Sequence, residues 1–362
     1  MKYIIDASSH VPAYHQLYLL VREDIINGIY PAGSKLPSKR TVALDSNTST
    51  VTVEHAYSLL CDEGYIESRE RSGFFVIFHA DDGFVSAPIL NTTHKSYLAT
   101  HTETHTDFPF SVLAKTMRKV ICDAGEGMLD RSPNQGTLEL RDAIRTYLAQ
   151  NRGILADTNQ IIIGSGSEFL YTILVGLLGR DRVYAIESPS YKKIEQVYTA
   201  SDVRLEKLTL SHDGIDSKAL KNSSADVLHI SPYRSYPSGV TATASKRHEY
   251  LRWAEKGSRC IIEDDFESEF SVSRKPEETL FSHSFKDNVI YMNTFSKTIS
   301  PSFRIGYMVL PKELAKAYEE KLGFLSCTVP TYLQLVLAEL INNGDFERHI
   351  NRVRRNKRKQ QA

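Results

Sequence analysis

The sequence predicts an α/β protein in two parts: a small N-terminal unit of three helices and a β-hairpin, then a larger unit built on a mostly parallel sheet. Three observations predict it. Apolar residues in the first 78 positions recur at helical spacing and end in two β-rich runs around a polar loop. From about residue 107 onward, short β-rich runs alternate with helical patterns, which implies a mostly parallel sheet covered on both faces. Between the two, residues 79–106 are rich in Ser, Thr and His, lack apolar periodicity and read as a linker. The length of 362 residues fits one large α/β unit with a small appendage.

Composition narrows the function classes. Hydrophobic residues make up 41% and charged residues 24%, as in a soluble globular protein. Mean hydropathy is −0.31, and no apolar run reaches the ~18 residues that a spanning helix needs. The opening Met1-Lys-Tyr-Ile-Ile-Asp6 turns polar too soon for a signal peptide. The cysteines (Cys61, Cys122, Cys260, Cys327) are scattered without paired spacing, which points to a reducing, cytoplasmic compartment and no structural zinc. Lys plus Arg number 44 and Asp plus Glu 44, so zero net charge implies no strongly basic polymer binder. A membrane span, a secreted disulfide scaffold and a disordered chain are excluded. His94, His101 and His105 lie in the linker without carboxylate or Cys partners in a stable element, so they read as a solvated loop and no metal is expected.

In the first part, Leu17, Val21 and Ile25 fall on one helical face, and Asn27-Gly28 ends that helix. Pro31-Ala-Gly33 makes a turn, and Pro37-Ser38 precedes a short second helix through Leu44. Thr48 or Ser49 caps a third helix, where Val53, Ala56, Tyr57 and Leu60 recur at i, i+3, i+4 and i+7. Gly64 stops it. Residues 65–68 and 74–76 read as strands around the loop 69–73. Three helices and a two-stranded wing make a winged helix-turn-helix, whose third helix lies in a major groove while the wing meets backbone or minor groove. To Phe78 there are seven Lys/Arg and nine Asp/Glu, a net of −2, where DNA binders usually concentrate positive charge. The positive groups are Lys35, Lys39 and Arg40 at the second helix, and Arg69 and Arg71 in the wing. Ser49-Thr-Val-Thr-Val-Glu-His55 carries no Lys or Arg, so base contacts fall to Ser49, Thr50, Thr52 and His55, or to Val51 against thymine methyls.

The runs Pro12-Ala-Tyr-His-Gln-Leu17, Asn27-Gly-Ile-Tyr-Pro-Ala-Gly-Ser-Lys-Leu-Pro-Ser-Lys-Arg40, Val53-Glu-His-Ala-Tyr57, Glu63-Gly-Tyr-Ile-Glu67 and Ser72-Gly-Phe-Phe-Val76 resemble a GntR-type DNA-binding domain over about 65 residues. The resemblance implies DNA contacts from Lys39, Arg40, Ser49, Thr50, Thr52, His55, Arg69 and Gly73. That family often carries a basic residue where Thr50 stands.

In the second part, strand candidates are 160–163, 182–186, 203–208, 226–230, 259–263, 288–292 and 306–310, with helical stretches at 167–178, 191–200 and 245–256. Ligands of such sheets sit at the carboxyl ends of the strands, and the chemistry-bearing residues cluster there. Asn293-Thr-Phe-Ser296-Lys297 is followed by Arg304. Ile262-Glu-Asp264-Asp265-Phe266 ends another strand. Gly164-Ser-Gly166-Ser167-Glu168 follows a strand and opens an apolar helix, where backbone amides bind phosphate. Glu187-Ser-Pro189-Ser-Tyr191 supplies an aromatic ring.

These motifs resemble the site of fold-type I pyridoxal 5'-phosphate (PLP) enzymes. The resemblance implies that Lys297 forms a Schiff base with the cofactor aldehyde. Arg304 clamps the phosphate with a charge-assisted fork, helped by Ser296, Ser167 and Glu168. Asp264 pairs with the pyridine nitrogen, with Asp265 as the local alternative, and Tyr191 stacks on the ring. Phe266 stands where that family usually has Tyr and cannot donate to the ring oxygen, a bond worth about 1 kcal/mol. In Ser231-Pro-Tyr-Arg234-Ser235-Tyr-Pro-Ser-Gly239, Arg234 and Ser235 replace the usual His-Gln of a substrate- and cofactor-side loop.

Together the halves resemble the MocR family, a GntR-type winged helix joined to an aminotransferase-like domain, from about residue 11 to the end. Ser132-Pro-Asn-Gln-Gly136, Leu140-Arg141 and Arg152-Gly153 fit the same family. The implied domains are 1–78 winged helix, 79–106 linker and 107–362 fold-type I PLP-dependent aminotransferase-like domain. The segment from Phe346 to Arg358 looks like the helix that leads, in relatives, into a C-terminal small domain, so the arginine that commonly binds the substrate carboxylate is expected to be absent. The seven basic residues from Arg348 to Lys359 read as that helix's solvated face. The expected function is a PLP-responsive, DNA-binding transcriptional regulator, a cytoplasmic homodimer that reads a double-stranded DNA operator. It would sense PLP itself, or a small amine or amino-acid effector, through Lys297, with little or no turnover. The alternatives are a PLP-dependent aminotransferase and a truncated regulator without cofactor function.

Overall fold

In a computed structural model the chain divides into two units, Met1–His101 and Thr102–Ala362. Residues 3–6, 9, 11–79, 108–271 and 278–361 are described. The linker expected at 79–106, with His94, His101 and His105, lies outside the described residues apart from His79.

The first unit contains α1 (Ala13–Ile26), α2 (Lys39–Asp45), α3 (Thr50–Asp62), β1 (Ile66–Arg69) and β2 (Gly73–Val76). Its apolar periodicity becomes its core: Leu17, Val21 and Ile25 of α1 bury against Val53, Ala56, Tyr57 and Leu60 of α3. Ser49, not Thr48, caps α3, its hydroxyl accepting from Thr52 N at 3.0 Å. Thr48 instead pairs with Ser46. The hairpin registers Ile66 with Val76 and Arg69 with Gly73.

In the second unit, α4 (Phe110–Ala124) and α5 (Leu138–Arg152) precede β3 (Ile161–Gly164). Then follow α6 (Ser167–Leu178), β4 (Val183–Ser188), α7 (Lys192–Ala200), β5 (Arg204–Ser211), β6 (Gly214–Ile215), α8 (Ser217–Asn222), β7 (Val227–Ile230), α9 (Ala244–Ala254) and β8 (Cys260–Asp264). The chain continues through α10 (Leu280–His283), β9 (Val289–Thr294), β10 (Gly306–Val309), α11 (Lys312–Leu322), α12 (Thr331–Asn342) and α13 (Asp345–Gln361). The strands form one sheet in the order β3-β10-β9-β8-β7-β4-β5-β6. β5, β4, β7, β8 and β9 are parallel, β10 opposes both neighbours, and β6 turns back on β5. All seven strand candidates overlap observed strands; β6, with two residues, is too short to show a period.

Side chains alternate across the sheet. Ile162, Ile262, Ile290, Met292 and Met308 face Leu170 and Leu174 of α6, Tyr198 of α7 and Tyr318 of α11. On the opposite face, Ile161, Ile163, Tyr291 and Tyr307 meet α5 and α12, and Leu228, Ile261 and Val289 meet Tyr250 and Trp253 of α9. Each fully buried aliphatic side chain stabilises this three-layer stack by about 1.5–3 kcal/mol. The same alternation sends polar residues at the strand ends to opposite faces, which decides what faces the cavity. All four cysteines are free. Among the described residues no helix is long and apolar enough to cross a membrane.

Candidate functional site

A cavity of about 390 Å³ opens at the carboxyl ends of the parallel strands, and Lys297, Asp264, Arg304, Tyr191, Ser296, Ser167 and Glu168 all line it. They reach it from separate segments. Ser167 and Glu168 start α6, Tyr191 precedes α7, Asp264 ends β8, and Ser296, Lys297 and Arg304 lie between β9 and β10.

At one end, the Glu168 carboxylate accepts from Lys193 Nζ at 2.6 Å and from Arg304 Nη2 at 2.9 Å. Partial burial pushes Glu168 up, but the hydrogen bonds from Lys193, a backbone amide and Arg304 outweigh it and hold the carboxyl down to about 2. Gly166 is the residue before α6, at φ +90° and ψ 175°, a conformation open essentially only to glycine. A Cβ there would lie 2.9 Å from Arg304 Nη2, so a bare backbone lets the guanidinium close on the helix start.

At the other end, Asp264 accepts a short hydrogen bond from the Tyr171 hydroxyl. His229 Nε2 lies 3.5 Å from Asp264 Oδ2. Tyr198 shares a 2.7 Å hydrogen bond with His229 Nδ1, while His229 Nε2 is buried without a hydrogen-bond partner among the described residues. The period of two sends the next residue elsewhere. Asp265 pairs with the buried Arg152 and accepts from the Tyr291 hydroxyl at 2.8 Å, on the α5 face. Of the two aspartates, only Asp264 lines this cavity.

Between the ends, the Lys297 ammonium pairs with Glu267 and sits 4.5 Å from the Phe266 ring centroid, a contact that needs no hydroxyl. Arg234 Nε lies 3.6 Å from the same Glu267. The Tyr191 ring meets Tyr236 edge-on, with centroids 6.0 Å apart. Ser235 donates to Glu187 at 2.6 Å, joined by Ser231 N at 3.2 Å. An amine, paired cations at a helix start and a buried carboxylate, gathered in one cavity, can hold an anionic aldehyde that carries a basic ring nitrogen.

Sequence reasoning missed Tyr171, His229, Lys193, Glu187 and Glu267. Tyr171 and His229 sit within apolar runs and read as core. The available signal was His229's parity with the inward-facing Val227 on β7. Among the described residues no cluster of His, Cys, Asp or Glu is arranged to hold a metal ion.

Burial pushes three carboxyls, Glu187, Glu263 and Glu269, up to about 7 from a usual 4.5. The folded state therefore holds protons that the unfolded chain releases. Their contribution to stability is complete below about pH 4.5 and is lost as pH rises through about 7. Urea midpoints of the second unit should fall between pH 5.5 and pH 8, and Glu187→Gln should flatten that fall. A flat midpoint across this window in the wild-type chain would contradict the protonated carboxyls.

In the first unit, Arg40, Ser49, Thr50, His55 and Arg69 are exposed, and Lys39, Thr52 and Gly73 are partly buried. Much of the positive charge is already paired: Lys39 with Glu54 at 2.7 Å and Arg69 with Glu67 at 2.6 Å. Arg69 also stacks 4.4 Å from the Phe75 ring. Ser49 and Thr52 hydrogen-bond to each other at 2.9 Å while capping α3. His55 packs edge-on against Tyr14. Among the described residues Arg40 has no ion-pair partner, which leaves its charge available to a phosphate.

Residues 13–76 match the family described as bacterial regulatory proteins, gntR family, and residues 101–362 match aminotransferase class I and II. The chain is 34% identical over 362 residues to the uncharacterized HTH-type transcriptional regulator YdeL of Bacillus subtilis, across 97% of this chain and 78% of that one. It is 28% identical over 375 residues to the probable rhizopine catabolism regulatory protein MocR of Rhizobium meliloti, across 97% and 76%. Among solved structures, kynurenine aminotransferase of Pyrococcus horikoshii superposes with a TM-score of 0.62 at 24% identity, over 68% of this chain. The chain spans 64% of that enzyme's length, and the likeness concerns the fold.

Proposed function

This chain belongs to the MocR-type family, a gntR-family domain followed by an aminotransferase class I and II domain, and from that premise we propose a PLP-responsive, DNA-binding transcriptional regulator. The supporting observation is the convergence of Lys297, Asp264, Arg304, Tyr191, Ser296, Ser167 and Glu168 on one cavity. The orphaned Nε2 of His229 and the bare backbone at Gly166 also suit a ring-and-phosphate ligand. When bound, the cofactor supplies an aldehyde that condenses with amines and a ring that draws electrons from them. In this reading Lys297 holds the aldehyde carbon. Arg304, Lys193 and the α6 amides hold the phosphate, with Ser296 beside them. Asp264, held by the Tyr171 hydroxyl with His229 Nε2 3.5 Å away, keeps the ring nitrogen protonated, and Tyr191 covers the ring.

The partners in this reading are operator DNA, a second copy of the chain, and an effector that is PLP itself or a small amine or amino acid. A protein of this kind works in the cytoplasm. An effector acts by binding one of two states more tightly, which requires no turnover. Turnover itself is expected to be negligible, so rapid multiple-turnover keto-acid production from a common amino acid would favour the enzyme instead.

The test is footprinting of the region upstream of its own gene, with and without PLP. Two half-sites should be protected, direct or inverted, since most oligomers are symmetric, and PLP should alter the protection. Arg40→Ala and Arg69→Ala should weaken binding across sequences and each lower the salt slope by about 1. Protection indifferent to PLP, and unchanged in both variants, would sink the reading.

A further inference from the structure

The cations at the phosphate end are held by a carboxylate of the chain itself. Glu168 bridges Lys193 Nζ at 2.6 Å and Arg304 Nη2 at 2.9 Å, and its side chain is only 22% exposed. It is the acidic residue in the first turn of α6, where the helix end favours a negative group. Its own backbone amide engages the same carboxylate, and as first-turn residues of α6 it and Ser167 have amides without an intrahelical partner. The carboxylate thus satisfies the cations and lies near the amides that a phosphate would use.

We propose that Glu168 is a built-in competitor for the phosphate, so that a phosphorylated ligand enters only by displacing this carboxylate from Arg304 and Lys193. This rests on the reading of the cavity as a PLP site. Two consequences follow from charge alone. A dianionic phosphate beside an ionised Glu168 meets repulsion as well as attraction, so its affinity is lower than the two cations would otherwise give. A ligand with the same ring and aldehyde but no phosphate does not contest Glu168. The residue therefore sets how strongly the site prefers the phosphorylated form.

Glu168→Gln keeps size and one acceptor oxygen while removing the charge and the second acceptor, at a partly exposed position where folding should be retained. PLP and unphosphorylated pyridoxal are titrated into wild type, Glu168→Gln, Lys297→Ala and Glu168→Gln/Lys297→Ala, following absorbance and tyrosine fluorescence. Glu168→Gln should bind PLP about tenfold more tightly or better, with pyridoxal unchanged. The gain should shrink as salt rises. Unchanged or weaker PLP affinity overturns the proposal, and so does an equal gain for pyridoxal, which would put the effect away from the phosphate end. If neither wild type nor Glu168→Gln forms an adduct that Lys297→Ala removes, the site reading itself fails and the competitor role falls with it. An intact adduct with no gain in Glu168→Gln removes only the competitor.

Discussion

Lys297→Ala should leave the protein without the visible absorption band that PLP gives the wild-type chain, and without any borohydride-fixed adduct. The reason is chemical: a covalent hold on an aldehyde needs a primary amine, and the methyl group of alanine offers none. Among the cavity residues on the described chain, Lys297 and Lys193 carry such an amine. Lys193 is engaged 2.6 Å from Glu168, on the side of the cavity that Arg304 also reaches, whereas Lys297 sits over the Phe266 ring. Lys297→Arg refines the result. It keeps the cation beside Glu267 but cannot condense, so it should lose the band while PLP still binds non-covalently and weakly. A fixed adduct in either variant would move the reactive amine to another residue.

Arg152→Met should destabilise the second unit by about 3–5 kcal/mol, the usual cost of breaking a buried ion pair from one side. Arg152 and Asp265 have side chains only 3% and 6% exposed. Burial lowers Arg152, but Asp265, Tyr291, Glu269 and Tyr147 together outweigh it and hold the guanidinium well above its ordinary value. Without the guanidinium, Asp265 keeps a hydrogen bond from Tyr291 and has for company Glu263 and Glu269, whose carboxyls burial pushes up to about 7. The double variant Arg152→Met/Asp265→Asn should be more stable than the sum of the two single losses, because no charge is then stranded. Urea unfolding of the four proteins closes the cycle, and additive losses would deny the pair its coupling. The DNA-binding unit packs around its own core, so its unfolding transition should not shift.

Legibility in the sequence followed the length of the pattern. The helices of the first unit announce themselves because Leu17, Val21 and Ile25, and then Val53, Ala56, Tyr57 and Leu60, keep strict spacing, and all of them are buried. The main strands are visible as β-branched runs between turn residues, whereas β6, two residues long, has no pattern to read. The choice between Thr48 and Ser49 as cap turned on a one-residue difference in where α3 begins, which apolar spacing does not resolve. The cavity residues were legible where a motif brackets them, as at Lys297 and Arg304. The residues that support them were not. His229 and Tyr171 look like core until the sheet brings β7 and α6 beside Asp264, and Glu267 is one of several acids in a polar run until Lys297 reaches it. Parity along β8 separates Asp264 from Asp265, but its sign requires knowing which face carries α6.

The loop between β9 and β10 has a consequence of its own. The two strands run antiparallel and pair Thr294 with Gly306 at the loop's base. Phe295 N donates to Ile305 O at 2.9 Å just above it. Lys297 and Arg304 therefore hang from one closed clasp whose ends are riveted to neighbouring strands. The clasp fixes where the two side chains leave the backbone, while Glu267 and Glu168 hold the amine and the guanidinium at their far ends. In the proposed site one backbone loop therefore carries both the group that would meet a ligand's carbonyl and the group that would meet its anionic end, so the two contacts share a single support. Inserting one residue between Lys297 and Arg304 would shift the two relative to each other while leaving the pairing of Thr294 with Gly306 at the base intact.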